Sequence, residues 1–171
     1  MNIYIILIFI IIFYEILITI YRKLKRRYLF KKALKRKKIT NKKLLVIGDP
    51  YNGLASILTG PDYSCGDLNI DLTGCPKCDN SLKNKLEDVI DTINLDDYVI
   101  YISCVLEYVD DIDKIINKIN SVDPKDLFIV NVEWFSLSAY FYPYFLTNEK
   151  PPKNILYSTN PIKYFTNFIK S

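Results

Sequence analysis

The chain contains no histidine, and only five glycines and four cysteines among its 171 residues. Without histidine it has neither the Ser/His/Asp or Cys/His nucleophilic arrangements nor a two-histidine zinc site, and it lacks the commonest general base. Acid–base chemistry would therefore depend on carboxylates, tyrosine, lysine or cysteine. The length suits one domain of ordinary size with one additional segment, and it excludes two full domains.

Positive and negative charge are separated along the chain. Residues 22–43 hold thirteen Lys and Arg and no acidic residue, whereas residues 44–171 hold ten lysines against eighteen Asp and Glu, a net charge of −8. A domain with a net negative charge repels nucleic-acid phosphates. We therefore expect no nucleic-acid partner for the acidic part, although the whole chain carries a net charge of +4.

The N-terminal segment is an apolar run from Ile3 to Tyr21, in which Glu15 is the only charged residue. As a helix, this run is long enough to cross about 30 Å of hydrocarbon. A cleaved signal peptide usually has a basic start, a shorter apolar run and a small-residue cleavage site, and the segment has none of these. We predict a transmembrane helix in residues 1–21 that contacts the lipid bilayer through residues 3–21.

The basic juxtamembrane segment, residues 22–43, follows this run directly. By the positive-inside rule it predicts a single-pass membrane protein whose C-terminal domain lies in the cytosol. Tyr21, Leu24 and Tyr28 keep helical spacing, so the segment can continue the helix and bind anionic lipid. A topology signal without a further role is the alternative. We place the start of the globular domain, residues 44–171, just after a junction at Ile39 to Asn41.

Residues 44–171 show apolar runs that alternate with amphipathic stretches. This alternation predicts a mostly parallel α/β sheet with crossover helices. The predicted strands are Lys43 to Gly48, Asp67 to Leu72, Tyr98 to Ser103 and Leu127 to Val132. The predicted helices are Gly53 to Leu58, Ser81 to Ile93 and Ile112 to Ile119.

All five glycines lie between Gly48 and Gly74. The stretch Leu44-Leu-Val-Ile-Gly48-Asp49-Pro50-Tyr51-Asn52-Gly53 resembles the first motif of class I S-adenosylmethionine-dependent methyltransferases, in which an apolar strand runs into a glycine loop. The family usually has an acid two residues before the first glycine and a second glycine two residues after it, where this chain has Val46 and Pro50. The resemblance implies that S-adenosylmethionine binds around Gly48, Asp49 and Gly53.

A second part of the resemblance is the stretch Asp67-Leu-Asn-Ile-Asp71-Leu. The family's second strand presents an acid to the ribose hydroxyls of the cofactor, and a carboxylate can accept hydrogen bonds from both. The resemblance implies this role for Asp71 first and for Asp67 second. The alternative is that one or both are solvated acids at the ends of a strand.

The third part begins at Asp97 and includes Ser103-Cys-Val-Leu-Glu107-Tyr108. It looks like the family's fourth strand and the helix after it, with Tyr108 in place of the usual histidine. The resemblance implies that Ser103, Cys104 and Glu107 face the substrate, with Glu107 as a possible base; an acid at the start of a helix is the alternative for Glu107.

The resemblance covers roughly residues 44–132 and implies a small, doubly wound Rossmann-like sheet. The gap between Asp71 and Asp97 is too short for a helix, a third strand and another crossover, so we expect an edge strand to be missing. The function implied is that of a membrane-anchored methyltransferase that uses S-adenosylmethionine, with an unidentified acceptor. A catalytically inactive interaction module or partner subunit, tethered to a membrane and bound to a protein partner, is the alternative.

The four cysteines are Cys65, Cys75, Cys78 and Cys104, and Cys75-Pro-Lys-Cys78 forms a CxxC pair. Structural zinc sites usually have two such pairs, so we predict no metal here, with zinc and redox chemistry as the open alternatives. A cytosolic location also argues against structural disulfides. The aromatic region from Phe135 to Phe168, with a predicted hairpin near its end, is expected to pack over the sheet, with a substrate pocket or a bilayer contact as alternatives.

Overall fold

The computed structural model describes residues 3–48, 64–106 and 108–130. In chain order the elements are α1 (Ile3–Thr40), β1 (Lys43–Ile47), β2 (Leu68–Asp71), β3 (Ser81–Lys83), α2 (Leu86–Val89), β4 (Tyr98–Ser103), α3 (Ile112–Ile119) and β5 (Leu127–Val130). Single 3₁₀ turns occupy Ile90–Thr92, Leu95–Asp97 and Pro124–Asp126. The predicted helix at Gly53 to Leu58, the aromatic region and the predicted hairpin lie outside the described residues.

Within the described residues, five strands form one all-parallel sheet in the order β3-β2-β1-β4-β5. Ile47 of β1 lies opposite Ile70 of β2 and Ile102 of β4, so the carboxyl ends of these three strands are level. The predicted parallel α/β sheet is confirmed. The chain adds strands on one side of β1 and then on the other, which creates a topological switch point between β1 and β4.

The predicted loss of an edge strand is wrong, because β3 lies at the edge beside β2, with Leu82 opposite Ile70. The chain returns from β2 to β3 through residues 72–80 without a helix, so the strand fits into the short gap. The predicted helix from Ser81 to Ile93 is accordingly wrong over Ser81–Lys83, and helical structure begins only at Leu86.

One face of the sheet is covered by α2, the turn after it, and α3. The predicted helix α3 is confirmed, and it begins where the Asp111 side chain accepts a hydrogen bond from the Lys114 backbone N–H at 3.1 Å. Helical spacing puts four of its isoleucines on one buried face, namely Ile112, Ile115, Ile116 and Ile119. They pack in one apolar core with residues of β1, β2 and β4.

The opposite face of the sheet is covered by the C-terminal half of α1. Phe30 and the fully buried Ala33 pack in the cluster that contains Val46 and Tyr101. The rings of Phe30 and Tyr101 meet edge to face, with centroids 5.3 Å apart. The basic segment and the apolar run are therefore parts of one continuous helix, and the basic part is packed on the sheet.

Helix α1 runs in the direction opposite to the strands. Arg26 reaches Cys104 at the carboxyl end of β4, whereas Arg36 reaches Asp126 just before β5 begins. The N-terminal half of α1 therefore extends beyond the edge at which the strands end. This half is long and apolar enough to cross a membrane, and its apolar side chains from Ile3 to Tyr14 are exposed.

Candidate functional site

The candidate site is the edge of the sheet where β1, β2 and β4 end. Asp71 is the last residue of β2, Ser103 is the last residue of β4, and Gly48 directly follows β1. The Gly48 backbone N–H donates to the carbonyl of Ile70 at 2.8 Å. Side chains alternate between the two faces of a strand, so all three positions share the face that α1 covers. The structure thus brings together three of the predicted site residues at the switch point.

Gly48 is a position that only glycine fits. Its φ is +86°, and a Cβ there would overlap the backbone carbonyl of Ser103 and the side chain of Val105. β1 and β4 therefore approach each other closely where they end, with the Val105 side chain packed beside Gly48.

The Ser103 side chain is 3% exposed. Among the described residues its hydroxyl has no hydrogen-bond partner. Buried polar groups in native proteins are nearly always paired, with protein, water or ligand, because an unpaired hydroxyl costs about 1–3 kcal/mol. Ser103 therefore carries an unsatisfied polar group at this edge of the sheet.

Asp71 ends β2 and organises the turn that follows. One of its carboxylate oxygens accepts from the Thr73 backbone N–H at 2.8 Å and from the Thr73 hydroxyl at 2.7 Å. Its backbone carbonyl accepts from Gly74 and Asn84. The carboxyl group is held in place at the carboxyl end of β2.

Cys104 has a φ of +53°, and its thiol packs toward α1. The Arg26 guanidinium donates to its sulfur at 2.8 Å. Arg26 therefore brings positive charge from α1 to the carboxyl edge of the sheet. Sequence reasoning missed this residue because it belongs to the basic segment, where helical spacing alone does not distinguish it from its neighbours.

The structure does not bring Asp67 to this edge, in contrast to the prediction that it is a second ribose ligand. It lies before β2, at the opposite edge, where it accepts from Lys37 at 2.7 Å and from the Leu44 backbone N–H at 2.6 Å. Partial burial raises the pKa of Asp67, but these two hydrogen bonds outweigh it and hold the pKa below its usual 3.8. The Asp67 carboxylate thus joins α1 and β1 to the start of β2.

Three predicted site residues, Asp49, Gly53 and Glu107, lie outside the described residues. The proposed roles of the first two in cofactor binding and of Glu107 as a base stay predictions.

Three of the four cysteines, Cys65, Cys75 and Cys78, form a cluster. Cys65 and Cys78 are joined by a disulfide, and the sulfur of Cys75 lies 2.8 Å from that of Cys78. The expectation that the chain has no disulfide is wrong for this structure. The sequence showed the CxxC pair, but only the return of the chain from β2 to β3 brings Cys65 to it.

Comparison with known protein families, curated proteins and solved structures finds no match to this chain.

Proposed function

We propose that this protein is a membrane-anchored enzyme of the methyltransferase type, which binds S-adenosylmethionine at the switch point between β1 and β4. The observation that carries the proposal is the placement of Gly48, Asp71 and Ser103 at one edge and on one face of an all-parallel sheet in the order 3-2-1-4-5. In open α/β sheets, ligands bind outside the carboxyl ends of the strands at such a point.

The described residues fit this cofactor in three respects. The Gly48 turn offers backbone groups at close range, the Asp71 carboxylate can accept from ribose hydroxyls, and the buried Ser103 hydroxyl can pair with a polar ligand atom. When bound, S-adenosylmethionine supplies the activated methyl group on its sulfonium. The protein's contribution is to orient the acceptor in line with that group and to exclude water.

The direction of α1 supports a proposal about the methyl acceptor. The apolar half of α1 extends beyond the same edge that carries the candidate site, and Arg26 is only five positions after Tyr21 in the helix. At the helical rise this separation is about 7.5 Å. With the apolar run in a bilayer and the domain in the cytosol, the candidate site faces the membrane surface, so we propose a lipid headgroup or a membrane protein as the methyl acceptor.

A second candidate is a catalytically inactive module of the same fold that binds a protein partner at the membrane. Val46 favours it: this side chain is 2% exposed in the core under α1, at the position where the family has an acid. A site without that acid has lost one polar contact to the cofactor.

The two candidates differ in whether the domain binds the cofactor. We would titrate S-adenosylmethionine and S-adenosylhomocysteine calorimetrically into the full chain in lipid nanodiscs. The proposal predicts a Kd on the order of 10 μM, weakened at least about tenfold by Asp71→Asn, which keeps the acceptor for Thr73 but removes the charge. Asp97→Asn, an exposed acid at the amino end of β4, is the matched control and should leave the Kd unchanged.

An absence of binding at millimolar ligand by a folded chain would overturn the enzyme proposal and leave the inactive module. If the cofactor binds, incubation with methyl-labelled S-adenosylmethionine in native membranes locates the product. Label in the lipid or membrane-protein fraction supports an acceptor at the membrane, whereas label only in added soluble protein contradicts it.

A further inference from the structure

The cysteine cluster contains none of the residues proposed for the methyltransferase site. Its members come from two segments: Cys65 precedes β2, and Cys75 and Cys78 lie in the connection from β2 to β3. Their sulfur atoms all lie within 4.8 Å of one another, and Cys75 and Cys78 are 6% and 8% exposed. A tetrahedral zinc–thiolate site has metal–sulfur distances of about 2.3 Å, which places its sulfurs about 3.8 Å apart.

Hydrogen bonds that do not involve the sulfur atoms also join the two segments. The side chain of Asn69, which is 2% exposed, accepts from the Gly66 backbone N–H at 3.0 Å and donates to the Asn80 carbonyl at 2.9 Å. The Asn80 side chain in turn donates to the carbonyl of Asp67 at 3.1 Å. These hydrogen bonds join the two cysteine-bearing segments in addition to the disulfide.

The turn that carries the CxxC pair is also preorganised. Gly74 has a φ of +78°, and the Cys75 backbone N–H donates to the Ser81 hydroxyl at 2.7 Å. The Cys78 N–H donates to the Cys75 carbonyl at 3.1 Å, which closes the turn between the two thiols. This arrangement presents both CxxC sulfurs on one side of a short turn, the form in which CxxC pairs bind zinc.

We infer that in the reduced chain Cys65, Cys75 and Cys78 bind one zinc ion as three thiolates. A disulfide and this metal site exclude each other, because a sulfur bonded to sulfur offers no thiolate. In the reducing cytosol, where we place the domain, thiols stay reduced and the metal-bound form is the one expected. The three ligands leave the fourth tetrahedral position for water or another group.

The zinc ion would have a structural role in this fold. The connection from β2 to β3 has no crossover helix, so it contributes little apolar area to the core. A metal ion that joins residues 65, 75 and 78 would tie this connection to the start of β2. The ion would add a second link for the edge strand β3, besides its backbone pairing with β2.

The test uses the full chain, purified in detergent micelles with a non-coordinating phosphine reductant and zinc, and then dialysed. We expect about one zinc per chain by elemental analysis, falling to below about a tenth in Cys75→Ser and Cys78→Ser and unchanged in Cys104→Ser. Cobalt in place of zinc should give a thiolate-to-metal charge-transfer band in the wild-type chain that Cys65→Ser weakens.

Alkylation of the wild-type chain keeps the test independent of whether the variants fold. With zinc bound, Cys65, Cys75 and Cys78 should be protected and should become reactive together when a chelator is added, as read by peptide mass spectrometry. Zinc no higher than in a chelator-treated sample, or chelator-sensitive protection of fewer than these three thiols, would overturn the inference. A Cys65–Cys78 disulfide that persists under the reductant would overturn it as well.

Discussion

Arg36 of α1 donates to Asp126 through its Nε at 2.6 Å, and this ion pair joins the end of the long helix to the start of β5. Lys42 donates to the other carboxylate oxygen at 2.7 Å. The Asp126 side chain is 2% exposed, whereas the two cations are 27% and 29% exposed. Part of the basic segment thus neutralises a buried acid of the domain, in addition to any role in membrane topology.

We predict that Asp126→Asn lowers the free energy of unfolding by about 1–3 kcal/mol, because two charge-assisted hydrogen bonds lose their charged acceptor. The partners keep access to water, which limits the loss. Urea-dependent proteolysis of the full chain in detergent micelles measures it. Asp123→Asn is the matched control: Asp123 lies 3.7 Å from Arg36 and is 49% exposed, so its loss should cost much less. Equal costs would contradict the role assigned to Asp126.

The same ion pair predicts a dependence of stability on pH. Burial raises the pKa of Asp126, but hydrogen bonds from Lys42 and Arg36 outweigh it and hold the pKa below 3.8. The stabilisation is therefore complete above the unfolded-state pKa and is lost as the pH falls through the lower folded-state pKa. The urea midpoint should begin to drop as the pH falls below about 5 and should continue to drop below the unfolded-state pKa, and Asp126→Asn should flatten that drop. If the urea midpoint depends on pH in the same way in the wild type and in Asp126→Asn, Asp126 does not cause this pH dependence.

Gly48→Ala should disrupt the candidate site and lower the free energy of unfolding by about 2–4 kcal/mol, since it adds a steric overlap with Ser103 and Val105 to the strain of a positive φ. Gly74→Ala is the control. Gly74 also has a positive φ, but a Cβ there would meet its nearest atom at 3.5 Å, so only about 1 kcal/mol is expected. Thermal unfolding of the two variants separates the effect of the steric overlap from the effect of the positive φ. An equal loss of free energy in both variants would contradict the close approach of Ser103 and Val105 to Gly48.

Ser103→Ala should leave the free energy of unfolding unchanged or raise it slightly, because the hydroxyl has no partner among the described residues to lose. It should weaken binding of S-adenosylmethionine about fivefold or more if the hydroxyl pairs with the ligand. Ser81→Ala offers the opposite pattern: its hydroxyl accepts from Cys75, so stability should fall by about 1 kcal/mol while binding is unaffected. A destabilised Ser103→Ala chain with unchanged affinity would remove Ser103 from the site.

Several elements were predictable because their local pattern is strong. The apolar run from Tyr98 to Ser103 is long enough to specify a buried central strand, and the isoleucine spacing of Ile112–Ile119 specifies α3. The strand β3 was not predictable, because three residues are too few to show a period and Leu82 also fits the helical spacing of the residues that follow. Pairing with β2 in the folded domain makes these three residues a strand rather than part of a helix.

Part of the candidate site could also be predicted from the sequence. The sequence determined that Gly48, Asp71 and Ser103 end apolar strands, and a parallel sheet requires the carboxyl ends of its strands to meet at one edge. It determined as well that residues 3–21 form an apolar segment followed by concentrated positive charge.

Only the tertiary structure decided the long-range contacts. It placed Asp67 at the opposite edge with Lys37, Arg26 beside Cys104, and Cys65 beside the CxxC pair. These pairs are separated by 10 to 78 residues, so no local propensity connects them. Their proximity follows from the direction in which α1 crosses the sheet and from the short return between β2 and β3, both of which depend on packing of the whole domain.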